Sequence, residues 1–131
     1  MTQIMKDRRR LVVFSGAGMS AESGISTFRD SGGLWENYDI EDVATPQAFL
    51  KNPALVQSFY NQRRKQIIET QPNAAHSIIK ELEADFDVVV ITQNIDDLHE
   101  RAGSKNVIHL HGNIRFAKSS GPYQEKKYYP I

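Results

Sequence analysis

Three short segments hold residue types that could do chemistry. The first is Gly16-Ala17-Gly18-Met19-Ser20-Ala21, directly after the apolar run Leu11-Val12-Val13-Phe14. In such a turn backbone N–H groups can approach a diphosphate closely, because no side chain stands in the way. A plain tight turn after a strand has the same composition, so both readings stay open. The second is Thr92-Gln93-Asn94-Ile95-Asp96, again at the end of an apolar run. Gln, Asn and Asp together supply the donor and the acceptor that a carboxamide needs. Asn94 or Asp96 would equally serve as the N-cap of a following helix. The third is His111-Gly112. An imidazole can act as a base near neutral pH, although a lone histidine is more often structural. His76, His99 and His109 are assigned to packing or hydrogen bonding, since none shows metal-ligand spacing.

Two further sets are weaker. Phe28 offers a flat apolar face and Arg29 a planar cation suited to phosphate or carboxylate, but such a pair is also ordinary packing beside a surface charge. Tyr60 and Arg63 lie three apart and share one helical face. Arg63 could pair bidentately with a carboxylate while Tyr60 adds a hydroxyl donor. The run Arg63-Arg64-Lys65 also reads as a solvated basic face.

The elements that must position these residues follow from local signals. Residues 11–14 read as a short buried strand, 86–92 as a second and 107–110 as a third. Residues 20–35, with Gly24, Gly32 and Gly33 and no helical period, read mainly as a long loop. Thr45-Pro46 and Asn52-Pro53 each place an N-cap before a proline at the first helical position. Leu55, Val56, Phe59, Tyr60, Arg63 and Ile67 then mark one face of a helix ending near Glu69. A further helix is expected from Pro72 with Ala75, Ile78, Ile79 and Leu82 inward. Another is expected over 96–102, with Gly103 as its left-handed stop. Alternating strands and helices predict an α/β fold with a parallel sheet. A hydride-transfer enzyme would continue from the glycine turn into a helix, a strand and an acidic ribose ligand about 20 residues on. Here the turn opens into a loop, which argues against that class.

Composition sets the outer bounds. The 131 residues are expected to form one domain, and 16 basic against 16 acidic residues give no electrostatic case for nucleic acid or membrane binding. No cysteine is present, so cysteine-ligated zinc is excluded and no metal site is expected. Residues 1–10 lack the apolar core of a signal peptide, and a cytoplasmic location is the expectation.

Taken together, residues 16–29 (GAGMSAESGISTFR), Gly33-Leu34-Trp35, residues 92–99 (TQNIDDLH) and residues 109–112 (HLHG) resemble the sirtuin family in motif, order and spacing. The resemblance implies a Rossmann-like NAD-binding catalytic domain, a partial one over residues 1–131, that removes acyl groups from protein lysines and yields nicotinamide and O-acyl-ADP-ribose. It places Gly16, Ala17, Gly18 and Ser20 against the NAD phosphates, and Phe28 and Arg29 over the reacting ribose. Trp35 joins the cofactor-binding set. Gln93, Asn94, Ile95 and Asp96 would hold ribose and nicotinamide, and His111 would be the general base. The Tyr60-x-x-Arg63 pair, with Ala21 and Glu22, is similar to the subgroup that prefers succinyl-, malonyl- and glutaryl-lysine. Ser26 stands where the family usually has proline, which is expected to loosen the loop.

Two family features have no counterpart. The zinc-binding cysteine pairs are replaced by a stretch around 116–122, so no zinc is expected. The later strands that hold the adenosine half of NAD are missing. Uncovered sheet edges and apolar faces are therefore expected, and with them weak or no turnover unless a missing C-terminal segment or a partner chain completes the fold. A non-catalytic NAD- or ADP-ribose-binding module and an NAD glycohydrolase are the competing readings.

Overall fold

A computed structural model describes residues 8–26, 38–119 and 127–131. Three strands, β1 (Arg10–Ser15), β2 (Asp87–Thr92) and β3 (Val107–His109), form a parallel sheet in the order β1-β2-β3. The register places Ser15 beside Thr92 and Thr92 beside His109. All three carboxyl ends thus lie in one row, and the segments that follow them leave from the same edge.

Local chemistry accounts for the helices. Thr45 Oγ1 accepts from Ala48 N–H at 3.0 Å and starts α3 (Pro46–Lys51), after the short α2 (Ile40–Val43). Asn52 Oδ1 accepts from Leu55 N–H at 3.1 Å and starts α4 (Pro53–Glu69). Both devices are those read from Thr45-Pro46 and Asn52-Pro53. Helix α4 buries Val56, Phe59, Arg63 and Ile67, the expected face. Helix α6 (Leu98–Ala102) ends at Gly103, whose φ of 107° is left-handed.

Other expectations need correction. Residues 18–21 form one helical turn, α1 (Gly18–Ala21), within what read as loop. Helix α5 spans Ala74–Glu81 rather than starting at Pro72. Asn73 and His76 close a reciprocal capping box at its start. That start turns His76 and Ile79 inward and leaves Ala75 and Ile78 exposed. A two-stranded antiparallel ribbon, β4 (Phe116–Ala117) with β5 (Tyr129–Pro130), was not foreseen, since two-residue strands carry no period.

The core has two centres. Ile79 of α5 packs on Val88 and Val90, with Leu11, Val13 and Val107 around them, and covers one face of the sheet. Ile25, Ile67, Leu98 and Ile114 form the other centre, with Tyr60 and Ile95 against it. The opposite face of the sheet is largely open among the described residues: Val12 is 54% exposed, Phe14 62%, Ile108 47% and Leu110 51%, although Val89 on the central strand is buried. Strand β1 is thus not the doubly buried strand expected from its composition. Parallel sheets are normally covered on both faces, and an open apolar face promotes association. Replacing Phe14 with lysine is accordingly expected to lower self-association of the 131-residue chain. Sedimentation velocity of wild type and variant at equal concentration checks this, and identical profiles would clear this face of the effect.

Candidate functional site

The row of strand ends opens into a cleft of about 460 Å³. The turn after β1 contributes Ala17 and Ser20. The segment after β2 contributes Gln93, Asn94, Ile95 and Asp96, and the turn after β3 contributes His111. Tyr60, Arg63 and Ile67 enter from α4, with Ile25, Ser26 and Ala44 completing the wall. Residues from five separate stretches of the chain, 17–26, Ala44, 60–67, 93–96 and His111, therefore meet in one space.

The turn and the polar segment are hydrogen-bonded to each other. Asn94 Nδ2 donates to Gly16 O at 2.9 Å, and Ser20 Oγ donates to Asp96 Oδ2 at 2.8 Å. Asp96 Oδ1 accepts from Leu98 N–H at 3.1 Å, but the N-cap of α6 is Asp97, not the Asn94 or Asp96 considered for it. Asn94 N–H donates to Thr92 Oγ1 at 3.0 Å. Ser20, Asn94 and Asp96 are all buried, and buried polar groups tied this way are held in one geometry. At Gly16 an added Cβ would lie 3.3 Å from Gln93 Oε1, so the turn comes close to the amide and leaves little room for a side chain.

Arg63 is only 8% exposed, which decides against the solvated basic face. Burial pushes its guanidinium down from the ordinary value, while the nearby Tyr60 and Asp96 oppose that. Burial raises the Tyr60 phenol, and Arg63 partly offsets the rise. A guanidinium stays charged in proteins, so the cleft presents a largely desolvated cation beside a phenol. His76 and His99 are fully buried and meet edge to face, with ring centroids 4.9 Å apart. His109 makes two hydrogen bonds of 2.8 Å, to Asn94 O and Glu100 Oε2, and a longer 3.5 Å contact with Asn113 Nδ2.

Gly16 does not line the cleft, and neither does Gly18, which is exposed in α1. Phe28, Arg29 and Trp35 lie outside the described residues. Ile67 lines the cleft without having been singled out for it. Its position one turn after Arg63 on the same face was the available signal. Ser26 lies in the motif over 16–29, and Ala44 carried no signal.

A family model described as "Sir2 family" matches residues 16–128. The chain belongs to the Sir2, or sirtuin, family. It is similar to a Bacteroides thetaiotaomicron protein named NAD-dependent protein deacylase, at 59% identity over 116 residues, covering 88% of this chain and 50% of that protein. It is also similar to the Leishmania major NAD-dependent protein deacylase SIR2rp3, at 54% identity over 120 residues, covering 87% of this chain and 49% of that one. Among solved structures, a Sir2 homologue in complex with NAD matches with a TM-score of 0.81 and 46% identity, covering 95% of this chain and 48% of that chain. The chain thus spans about half the length of the Sir2 relatives it matches. Their fold agrees with the Rossmann-like α/β reading.

Proposed function

We propose that this cleft is the nicotinamide-and-ribose half of an NAD site and that it serves the removal of acyl groups from protein lysines. The observation that carries the reading is the meeting of Ala17 and Ser20, the Gln93–Asp96 segment and His111 in one cleft. The donor set fits the nucleotide. Gly16 and Gly18 carry no side chain, so a diphosphate could approach the backbone N–H groups of the turn. Gln93, Asn94 and Asp96 offer the mixed donors and acceptors that a carboxamide and a ribose require. In this reading Gly16, Ala17 and Ser20 would face phosphates, and Asn94, Ile95 and Asp96 the nicotinamide and its ribose. NAD, when bound, supplies an activated glycosidic carbon with nicotinamide as leaving group. His111 would take a proton from a ribose hydroxyl oxygen, and the apolar walls of Ile25, Ile67 and Ile95 would limit water. The half-length match supports a second reading, nucleotide binding with weak or no turnover by this chain alone.

One assay separates the readings. NAD is incubated with acetyl- and succinyl-lysine peptides and nicotinamide is followed. Release that requires peptide supports deacylation, and release without peptide supports a glycohydrolase. No release, with a rise in melting temperature on adding NAD, supports a binding module.

Arg63 points the substrate preference toward acidic acyl groups. A buried guanidinium three residues from a phenol, both on the cleft wall, suits a carboxylate at the end of the acyl chain. Arg63→Met is expected to lower activity on succinyl-lysine peptide at least tenfold relative to acetyl-lysine, about the worth of one charge-assisted pair. Equal loss on both peptides would remove this assignment.

A further inference from the structure

We infer that His109 is a positioning residue that holds the Asn94 segment as an imidazolium, clamped between two acceptors. Its Nδ1 lies 2.8 Å from the Asn94 carbonyl oxygen and its Nε2 lies 2.8 Å from Glu100 Oε2. A carbonyl can only accept, and an ionised carboxylate can only accept. Both ring nitrogens must then donate, which a neutral imidazole cannot do. Asn113 supports that reading of Glu100. Its Oδ1 accepts from Arg115 N–H, which turns Nδ2 toward Glu100 Oε2 at 3.3 Å, so that oxygen receives a second donor; the same Nδ2 lies 3.5 Å from His109 Nε2, a far longer contact than the 2.8 Å between that nitrogen and Glu100.

The clamp reaches the cleft through Asn94. That residue is held at its N–H by Thr92, at its side chain by Gly16 O and at its carbonyl by His109. Withdrawing the proton from His109 removes one of the ring's two donors and sets the Asn94 carbonyl and the Glu100 carboxylate in competition for the other. The titratable or charged groups that face His109 are Glu100 and His99 on α6 and Asp96 after β2. Burial alone would lower His109. The hydrogen bonds to Glu100 and Asn94, with the charges of Glu100 and Asp96, outweigh burial and raise it. The tie to cofactor binding rests on the proposed NAD reading, whereas the clamp itself does not.

Nitrogen-15 spectra of the four imidazoles, recorded with backbone amide spectra from about pH 6 to pH 9, test it. Both His109 nitrogens should be protonated at neutral pH, and the amides of Gln93 to Asp96 should shift with the His109 midpoint. Glu100→Gln should move both midpoints down together, and His109→Gln should abolish the pH response of those amides. A neutral His109 at pH 7, or its titration without response at residues 93–96, would overturn the inference. ADP-ribose added on either side of the midpoint should bind about fivefold more weakly above it, the worth of one hydrogen bond. Equal affinity on both sides would overturn the tie to binding, and no ADP-ribose binding at any pH would count against the NAD reading while leaving the clamp to the spectra.

Discussion

Replacing Phe59 with alanine is expected to destabilise the chain by about 3–5 kcal/mol, the range for deleting a fully buried aromatic ring. Phe59 has no exposed surface and meets Tyr38 and Tyr60 edge to face, each with centroids 5.2 Å apart. Such ring pairs contribute beyond the area they bury. The whole stability of a domain is about 5–15 kcal/mol, so this one truncation consumes a large part of it. The consequence reaches the cleft. Phe59 sits one turn before Arg63 and next to Tyr60, and its ring ties that stretch of α4 to Tyr38. Urea unfolding of wild type, Phe59→Leu and Phe59→Ala checks the expectation. The leucine variant should lose clearly less, since most of the volume is kept. A loss under about 1 kcal/mol for the alanine variant would mean that the α4 face is not anchored by this ring.

The parts of the fold legible in the sequence are those set by short-range chemistry. Thr45-Pro46 and Asn52-Pro53 start helices because a side-chain oxygen reaches an amide three residues on, whatever surrounds it. Gly103 stops α6 because its φ suits glycine. The face of α4 was legible because its period runs over 17 residues. Helix α5 has only eight residues, and there the capping box with Asn73, not the apolar pattern, sets the rotation. Ile78 consequently faces out while His76 faces in. The open sheet face had no signature either, since alternating exposure along β1 depends on what covers each side.

The site was legible as a set of motifs, but their convergence follows from strand register. Ser15, Thr92 and His109 align across the sheet, and that row brings segments some 75 residues apart into hydrogen-bonding distance. Arg63 shows the limit of reading charge from composition. Its neighbours Arg64 and Lys65 look alike in sequence, yet helix rotation buries Arg63 and leaves Lys65 exposed. Arg64 instead donates from Nε to Ile114 O at 2.8 Å.

Acidification is expected to unfold the chain more steeply than its carboxylates alone would. His76 Nδ1 accepts from Asn73 N–H at 3.1 Å, so a proton placed on Nδ1 would face a donor and break the capping box. Ser15 Oγ donates to Thr92 Oγ1 and therefore accepts from His99 Nε2–H, which leaves His99 Nδ1 as the bare nitrogen. Among the described residues that atom has no hydrogen-bond partner, so a proton added there would be buried unpaired. Burial is the main cause holding both imidazoles below the usual histidine value of 6.5. Each contributes stability that is present above that value and lost as pH falls toward its folded-state value, because the unfolded chain takes up protons that the folded chain refuses. Two refused protons correspond to about 2.7 kcal/mol per pH unit at most. His109 acts in the opposite sense. Its raised value gives stability that is present below 6.5 and lost as pH rises through the folded-state value. The two effects together place the histidine-linked maximum of stability near pH 6.5. Urea midpoints measured from about pH 5 to pH 9 should show that maximum. In His76→Gln the glutamine can still accept from Asn73 N–H but cannot titrate, and the acid-side slope should fall by about half. A flat midpoint on the acid side in the wild-type chain would show that protons reach these imidazoles without unfolding it.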